Sequence, residues 1–320
     1  MNAPAPLVVV GDALLDRDVI GRVERLCPDA PAPVLEETTV EERPGGAGLA
    51  ALIAAVEGHD VVLVTPLAAD AAGLRLRQLL EDAGVTVWPL PDQGRTEEKI
   101  RLLAHGQVML RWDRGERSAR VDTVPAEALA AVEAAGAVLV SDYGRGTTGL
   151  AALRRVMERA ARQVPVVWDP HPRGHTPVPG IRLATPNAAE ARRLAGPEHP
   201  GEAAAAVALC RLWRCPAIAV TLGADGALLV VPEQAPFPVR LPAPRVAAGN
   251  PCGAGDRFAV AALEGLRAGA TLTDAIHTAV VKATSFVAIG GARRLSAPAP
   301  SPTAPPDCAY PFVWPRRVSA

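Results

Sequence analysis

The residues of this chain best placed to do chemistry lie in the stretch Gly249-Asn250-Pro251-Cys252-Gly253-Ala254-Gly255-Asp256-Arg257-Phe258. It has few side chains, then a carboxylate, then a helical pattern in which Phe258, Ala262 and Leu266 share one face. Gly253 and Gly255 carry no Cβ, so the backbone there can turn sharply and approach a ligand closely. A helix opening at this turn aims its free N–H groups and partial positive charge at one spot, where an anion is favoured. A carboxylate beside an anion hole is what phosphoryl transfer to a hydroxyl requires. The hole stabilises the moving group, and Asp256 takes the acceptor's proton. The same residues also fit a plain glycine turn in which Asp256 only caps a helix. No Gly-x-x-x-x-Gly-Lys-Ser/Thr occurs in the chain, so a P-loop is excluded.

Elements that could position such a site alternate along the chain. Residues 7–10 are a continuous apolar run ending at Gly11-Asp12, which predicts a strand buried on both faces. Further strands are predicted over 61–64, 137–141, 164–168 and 217–221, with helices over 47–56, 72–83, 150–162, 203–214 and 274–288. Residues 183–187 lead into a helix carrying Glu190, and residues 227–231 pair back after Gly223 and Gly226. This rhythm implies a doubly wound α/β fold, with a mostly parallel sheet flanked by helices. Asp12, Asp142, Asp169, Asn187 and Thr221 all fall where predicted strands stop, and in an open α/β sheet those ends share the ligand-binding rim.

Two segments break the rhythm. Residues 17–42 show no helical period and read as short strands outside the main core, followed by Arg43-Pro44-Gly45-Gly46 at the head of an alanine-rich helix. That glycine pair is either a second ligand contact or a place of tight helix packing. Residues 96–113 read as a hairpin with Lys99 and Arg101 on one face, which suits a substrate phosphate or simply a solvated face. Asp12 and Asp16 could hold sugar hydroxyls or be turn aspartates.

Composition narrows the partners. Of 320 residues 49% are hydrophobic, enough for a large core, while 3% aromatics and a net charge of −1 without a dense basic run argue against a nucleic-acid partner. No apolar run approaches membrane-spanning length and the start lacks a basic n-region, so no membrane association and a cytoplasmic location are expected. Five widely spread cysteines suit free thiols in a reducing compartment. His171 and His175 have i,i+4 spacing, but Pro170, Pro172 and Gly174 forbid the helix that would bring them together on a metal. Residues 1–295 are expected to form one domain. Residues 296–320 form a Pro/Ala-rich tail that Phe312 and Trp314 could tack to the body.

Over residues 7–291 the chain resembles the ribokinase-type (PfkB) carbohydrate kinases, through Arg43-Pro44-Gly45-Gly46 and Gly253-Ala254-Gly255-Asp256. Within them it is most similar to the branch that phosphorylates D-glycero-D-manno-heptose 7-phosphate at O1, and it would correspond to a kinase domain alone. This likeness rests on Gly11-Asp12-Ala13-Leu14-Leu15-Asp16-Arg17, Lys99-Ile100-Arg101, Ser141-Asp142-Tyr143, Asp169-Pro170 and Thr185-Pro186-Asn187-Ala188-Ala189-Glu190. The resemblance implies a ribokinase-like sheet with a small β lid, formed within 17–42 and 96–113, through which two copies pair. It implies ATP and Mg²⁺, and a monovalent cation, as cofactors. On that view Asp256 is the general base, and Gly253, Ala254 and Gly255 form the anion hole. Asp12, Asp16, Gly45, Gly46, Lys99, Arg101 and Asp142 bind the sugar phosphate. Asn187, Glu190, Thr221, Gly223 and Gly226 serve the nucleotide, with Glu190 reaching Mg²⁺ through water.

Two positions depart from the family pattern. Asn250 stands where a carboxylate usually opens the glycine loop, and Leu49 stands where an asparagine usually contacts the sugar. Three readings follow: a heptose 7-phosphate kinase, a kinase of another sugar or a nucleoside, and a retired kinase that only binds sugar or nucleotide. A dinucleotide dehydrogenase is disfavoured, because no Gly-x-Gly-x-x-Gly follows the first strand.

Overall fold

The structure, a computed structural model, describes residues 5–116, 118–234 and 237–298. Most of the Pro/Ala-rich tail, with Phe312 and Trp314, lies outside the described residues.

The run Leu7-Val8-Val9-Val10 forms β1 (Leu7–Gly11), every residue of which is buried. Leu7 and Val9 enter the core on one face of the sheet, and Val8 and Val10 enter the core on the other, as the two-residue period of a strand requires. The chain then leaves the sheet at Asp12 as β2 (Ala13–Leu26) and returns along β3 (Pro33–Gly46) into α1 (Ala47–Val56). There follow β4 (Val61–Ala68), α2 (Ala71–Asp82) and β5 (Val85–Asp92), then the hairpin β6 (Glu98–Ala104) and β7 (Gln107–Arg114). Next come α3 (Ala126–Glu133), β8 (Ala137–Ser141), α4 (Ala151–Ala160), β9 (Val166–Asp169) and β10 (Leu183–Ala184). Then α5 (Ala188–Ala195), α6 (Glu202–Trp213), β11 (Ile218–Thr221), β12 (Ala227–Val230) and β13 (Val239–Leu241) complete the alternating part. The described chain closes with α7 (Ala254–Arg267), α8 (Leu272–Ala288) and β14 (Ala297–Pro298).

Nine strands form the main sheet in the order β13-β12-β11-β10-β9-β8-β1-β4-β5, parallel from β5 to β11, with β12 and β13 antiparallel at one edge. α1, α2, α7 and α8 cover one face and α3, α4, α5 and α6 the other. From β1 the order runs outward both ways, to β4 and to β8, so the crevice beyond the C-terminal end of β1 is the switch point where such sheets take ligands. The expected doubly wound fold is what forms.

The second sheet, β14-β3-β2-β6-β7, differs from the expectation of short strands. β2 and β3 are 14 residues each and pair antiparallel from Ala13↔Gly46 to Leu26↔Pro33, so Asp16 lies inside a strand rather than in a turn. Among the elements that were not anticipated are β5 and α3. β5 contains Pro89 and Pro91, which only an edge strand tolerates, and it is an edge strand. α3 buries only Ala128 and Val132, too narrow a stripe to stand out.

At the root of the small sheet Arg43 is 1% exposed and forks onto Asp18, at 2.9 Å (Nη1–Oδ2) and 3.2 Å (Nη2–Oδ1). Removing Arg43 takes both close hydrogen bonds from the buried Asp18, which keeps the longer contacts to Arg293 (3.4 Å) and Arg101 (3.6 Å). Arg43→Ala is expected to cost about 2–3 kcal/mol in a urea melt, from the lost charged hydrogen bonds, and pairing it with Asp18→Asn is expected to return part of that.

Candidate active site

The glycine turn is as sharp as its sequence requires. Gly253 is the N-cap of α7 with φ of 83°, a left-handed conformation that side chains resist. A Cβ there would also lie 2.9 Å from Leu49 Cδ2, 3.2 Å from Phe286 Cε1 and 3.3 Å from Ala292 Cβ. The apolar Leu49 thus packs behind the turn, 3% exposed, and presents no polar atom to a sugar. A Cβ at Gly255 would meet nothing within 4 Å, so that side of the turn is open. The Ala254 N–H is occupied, since it donates to Pro251 O at 3.0 Å. Among the described residues the amides of Gly253 and Gly255 are the unoccupied ones of the predicted anion hole. Asn250 Oδ1 accepts from Cys252 N at 3.0 Å, so the amide shapes the loop that a carboxylate would otherwise shape, without contributing charge.

Asp256, in the first turn of α7, is 7% exposed. Burial, reinforced by the nearby Asp16 carboxylate, pushes its pKa up to about 7, against the pull of a hydrogen bond from Tyr143 and the charge of Lys99. Tyr143 Oη donates to Asp256 Oδ1 at 2.9 Å. Arg257 anchors the turn from behind, with Nη2 3.0 Å from Glu57, the C-cap of α1, and Nη1 3.7 Å from Glu264.

Opposite the base, Asp16 Oδ1 accepts from Arg101 Nη1 at 2.7 Å. Gly45 makes room for that carboxylate, because a Cβ there would fall 2.6 Å from Asp16 Oδ2. Gly46, with φ of 59°, lets the backbone pass Asp12 O, which a Cβ would approach to 2.4 Å. Lys99 Nζ lies 5.4 Å from the Tyr143 ring centroid and 3.8 Å from Glu97. Arg101 is committed to Asp16 and, at 3.6 Å, Asp18, so of the two cations predicted for a phosphate Lys99 is the less tightly held, with Glu97 at 3.8 Å. The loop after β9 brings Arg173 and His171 against Gly144, where a Cβ would meet His171 Nδ1 at 2.5 Å and Arg173 Cβ at 2.9 Å. Burial, with Arg173, Lys99 and Arg193 nearby, lowers the His171 pKa.

Two residues expected to bind the sugar, Asp12 and Asp142, also organise the backbone of the site. Asp12, wholly buried, accepts from the backbone N–H of Tyr143 (3.1 Å), Arg145 (3.0 Å) and Thr147 (3.4 Å) and from Thr147 Oγ1. Asp142 accepts from Gly144 N (2.7 Å), Thr148 Oγ1 (2.7 Å) and His175 N (3.2 Å), and burial raises its pKa. Asp142 accepts from the turn that follows its own strand, and Asp12 reaches across to the same turn from the end of the neighbouring β1.

On the nucleotide side Asn187, Thr221 and Gly223 line one cavity of about 460 Å³, with Arg192, Asp225 and Arg240. Asn187 and Glu190 form a capping box on α5: Asn187 Oδ1 accepts from Ala189 N and Glu190 N, and Glu190 Oε2 accepts from Asn187 N at 2.9 Å. Gly226 does not line this cavity; its φ of 92° and a would-be Cβ 2.1 Å from Leu241 O show that it serves the close passage of β13. Asp169, which accepts from Thr185 Oγ1 at 2.9 Å, stands between the two halves, its pKa driven well up by burial and by the charges of Asp256 and Glu190. Sequence reasoning placed Asp169 and Tyr143 at strand ends and gave neither a role. The one signal for either was its place at the end of a predicted strand.

Residues 5–299 match the family model described as pfkB family carbohydrate kinase. The chain is 50% identical over 293 residues to "Bifunctional protein HldE" of Streptomyces coelicolor, covering 90% of this chain and 61% of that protein. To the protein of the same name from Caulobacter vibrioides it is 34% identical over 284 residues, covering 85% and 58%. The chain therefore spans about three-fifths of the length of these relatives. Among solved structures it is similar to Arabidopsis thaliana ribokinase complexed with ribose and ATP, with a TM-score of 0.70 at 22% identity over 92% of this chain and 96% of that one. It is also similar to Escherichia coli phosphofructokinase-2 in complex with fructose-6-phosphate, at 0.68 and 19% over 92% and 97%.

Proposed function

Because the chain belongs to the pfkB family of carbohydrate kinases, we propose that it transfers the γ-phosphoryl group of ATP to a hydroxyl of a sugar phosphate, with Asp256 as general base. The observation that carries this reading is the buried Asp256 carboxylate on the open glycine turn at the start of α7, held near neutrality. At that pKa the group is ionised often enough to accept a proton and basic enough to want one. The acceptor hydroxyl gives its proton to Asp256 as its oxygen bonds to phosphorus, while the bond from phosphorus to the leaving ADP breaks. The N-terminus of α7, with the amides of Gly253 and Gly255, is the counter-charge for the moving group.

The acceptor is a heptose 7-phosphate, phosphorylated at O1, on the strength of the sequence resemblance. Lys99 and Arg173 supply the cations for the phosphate already on it, and Asp16 meets the sugar across Gly45. A second acceptor, another sugar or a nucleoside, is favoured by one observation, the apolar Leu49 behind Gly253.

The oxygen donors suit a hard cation. Glu190 is raised by burial, and Asp169 and Asp256 crowd each other's charge, a strain that a divalent ion would relieve. Among the described residues no three His, Cys, Asp or Glu side chains converge as direct ligands. Mg²⁺ held by Glu190 through water, and by phosphate oxygens, fits that geometry, and when bound it offsets charge on the transferring phosphate.

Residues 17–42 and 96–113 form the lid on this reading. Its outer strand exposes Val108, Met109, Leu110 and Trp112, apolar surface at a free sheet edge that supports pairing of two copies there. No helix among the described residues is long and apolar enough to cross a membrane. The four described cysteines are free, which supports the reading of a cytoplasmic enzyme.

The test is an ADP-release screen over sugar and heptose phosphates. A heptose 7-phosphate is expected to turn over fastest, and Lys99→Ala is expected to raise KM for it about tenfold or more with kcat little changed. No ADP with any phosphosugar would reject a sugar phosphate as acceptor, no ADP with free sugars or nucleosides either would reject the kinase reading, and an unmoved KM would reject the role of Lys99.

A further inference from the structure

The Tyr143 side chain connects three parts of the site, and nothing in the mechanism above uses it. Its Oη donates to Asp256 Oδ1 at 2.9 Å, its ring lies beneath Lys99 Nζ, and its Cδ2 is 3.5 Å from where a Cβ of Gly46 would be. The backbone that carries it is pinned from both sides. Tyr143 N donates to Asp12 Oδ2 at 3.1 Å, Asp142 N to Asp169 O at 3.0 Å, and Gly144 N to Asp142 Oδ1 at 2.7 Å. The buried carboxylates of Asp12 and Asp142 therefore fix where the phenol points.

We infer that Tyr143 is the positioning residue of the base: its O–H holds Asp256 Oδ1, which fixes the carboxylate's rotation and reserves Oδ2 for the acceptor's proton. This rests on the kinase reading. The proton travels from the acceptor hydroxyl to Oδ2 as the new O–P bond forms and the bond to ADP breaks, and Tyr143 keeps its own proton throughout. Burial and the charges of Asp256 and Asp169 push the phenol well above its ordinary pKa, so it donates a hydrogen bond and never a proton.

The groups facing Asp256 come from five elements: Asp16 of β2, Lys99 of β6, Tyr143 after β8, Asp169 at the end of β9 and Cys252 before α7. Asp16 and Asp169 favour the protonated carboxyl, whereas Lys99 and the Tyr143 O–H favour the carboxylate. Without the phenol donor the balance tips toward the acid.

The experiment combines ¹³C-carboxyl NMR titration of the full chain, with Asp256 assigned by its loss in Asp256→Asn, and pH profiles of kcat/KM. In Tyr143→Phe the Asp256 titration and the acid limb are expected to move up together by about one pH unit, lowering turnover about fivefold at pH 7 with KM for ATP unchanged. The chain has two tyrosines, so 3-fluorotyrosine incorporated in a Tyr310→Phe background labels Tyr143 alone. This stronger donor keeps the native shape and should move both readouts down. An Asp256 titration identical in wild type, Tyr143→Phe and the fluorinated protein would overturn the inference, as would lost turnover with an unmoved acid limb. If wild type released no ADP, the kinase reading would fall, while the NMR arm would still decide whether Tyr143 holds Asp256.

Discussion

Asp256→Asn is expected to lower kcat by about two to four orders of magnitude, the range in which a positioned general base contributes, with ATP affinity retained. The amide keeps the shape of the carboxylate, and its Oδ1 can still accept from Tyr143, so the loss isolates proton transfer. The same substitution is expected to make the protein more stable at neutral pH. The native carboxyl has a pKa of about 7 against 3.8 for an aspartate in the unfolded chain. Between those values the native state holds a proton that the unfolded state has released, so stability falls as pH rises from about 4 to about 7 and is level above. Three pH units correspond to a ceiling of about 4 kcal/mol. Asparagine has no such penalty. The melting temperatures of the two proteins should nearly coincide at pH 4 and separate progressively to pH 8, the variant melting higher. A variant with near-wild-type turnover would remove Asp256 from the chemistry. A variant that melts lower at pH 8 would show that the carboxylate is not under the burial stress described.

Gly253→Ala is expected to be nearly as damaging by a different route. A methyl at φ of 83° strains the backbone, and it must also displace Leu49 Cδ2 at 2.9 Å. The turn can relax only by rotating the amides meant for the moving phosphate, so kcat should fall by about two to three orders of magnitude, as when an oxyanion donor is removed. The acid limb of the pH profile should stay where it is, since Asp256 keeps its neighbours, and this separates the two variants. Adding Leu49→Ala removes the shortest of the three tight contacts and leaves the dihedral strain, so the double variant should recover part of the loss. Full activity in Gly253→Ala alone would show that the turn has no part in transfer.

Parts of this site could be read from the chain and parts could not, for physical reasons. Leu7-Val8-Val9-Val10 announces β1 because a strand covered on both faces must be apolar at every position. Gly253 and Asp256 stand out because few other jobs need a left-handed glycine three residues before a carboxylate. β2 and β3 were underestimated in length because the small sheet is covered only in part, so charges are about as frequent as apolar residues along them. Asp12 and Asp142 look like ligands in sequence because residue type does not tell which donors surround an oxygen. Only the fold shows that these two also bind backbone amides. Tyr143 carries no periodic signal, and its value lies entirely in a partner 113 residues away.

α1 begins at Ala47, where the small sheet ends, and its C-cap Glu57 is latched to Arg257, the neighbour of Asp256. A helix of ten residues is a stiff rod about 15 Å long. Sheet and base are therefore coupled in series through one strut, secured at its far end. Any tilt of the sheet over the crevice has to be taken up at the near joint, Gly46, or it will drag Asp256 with it.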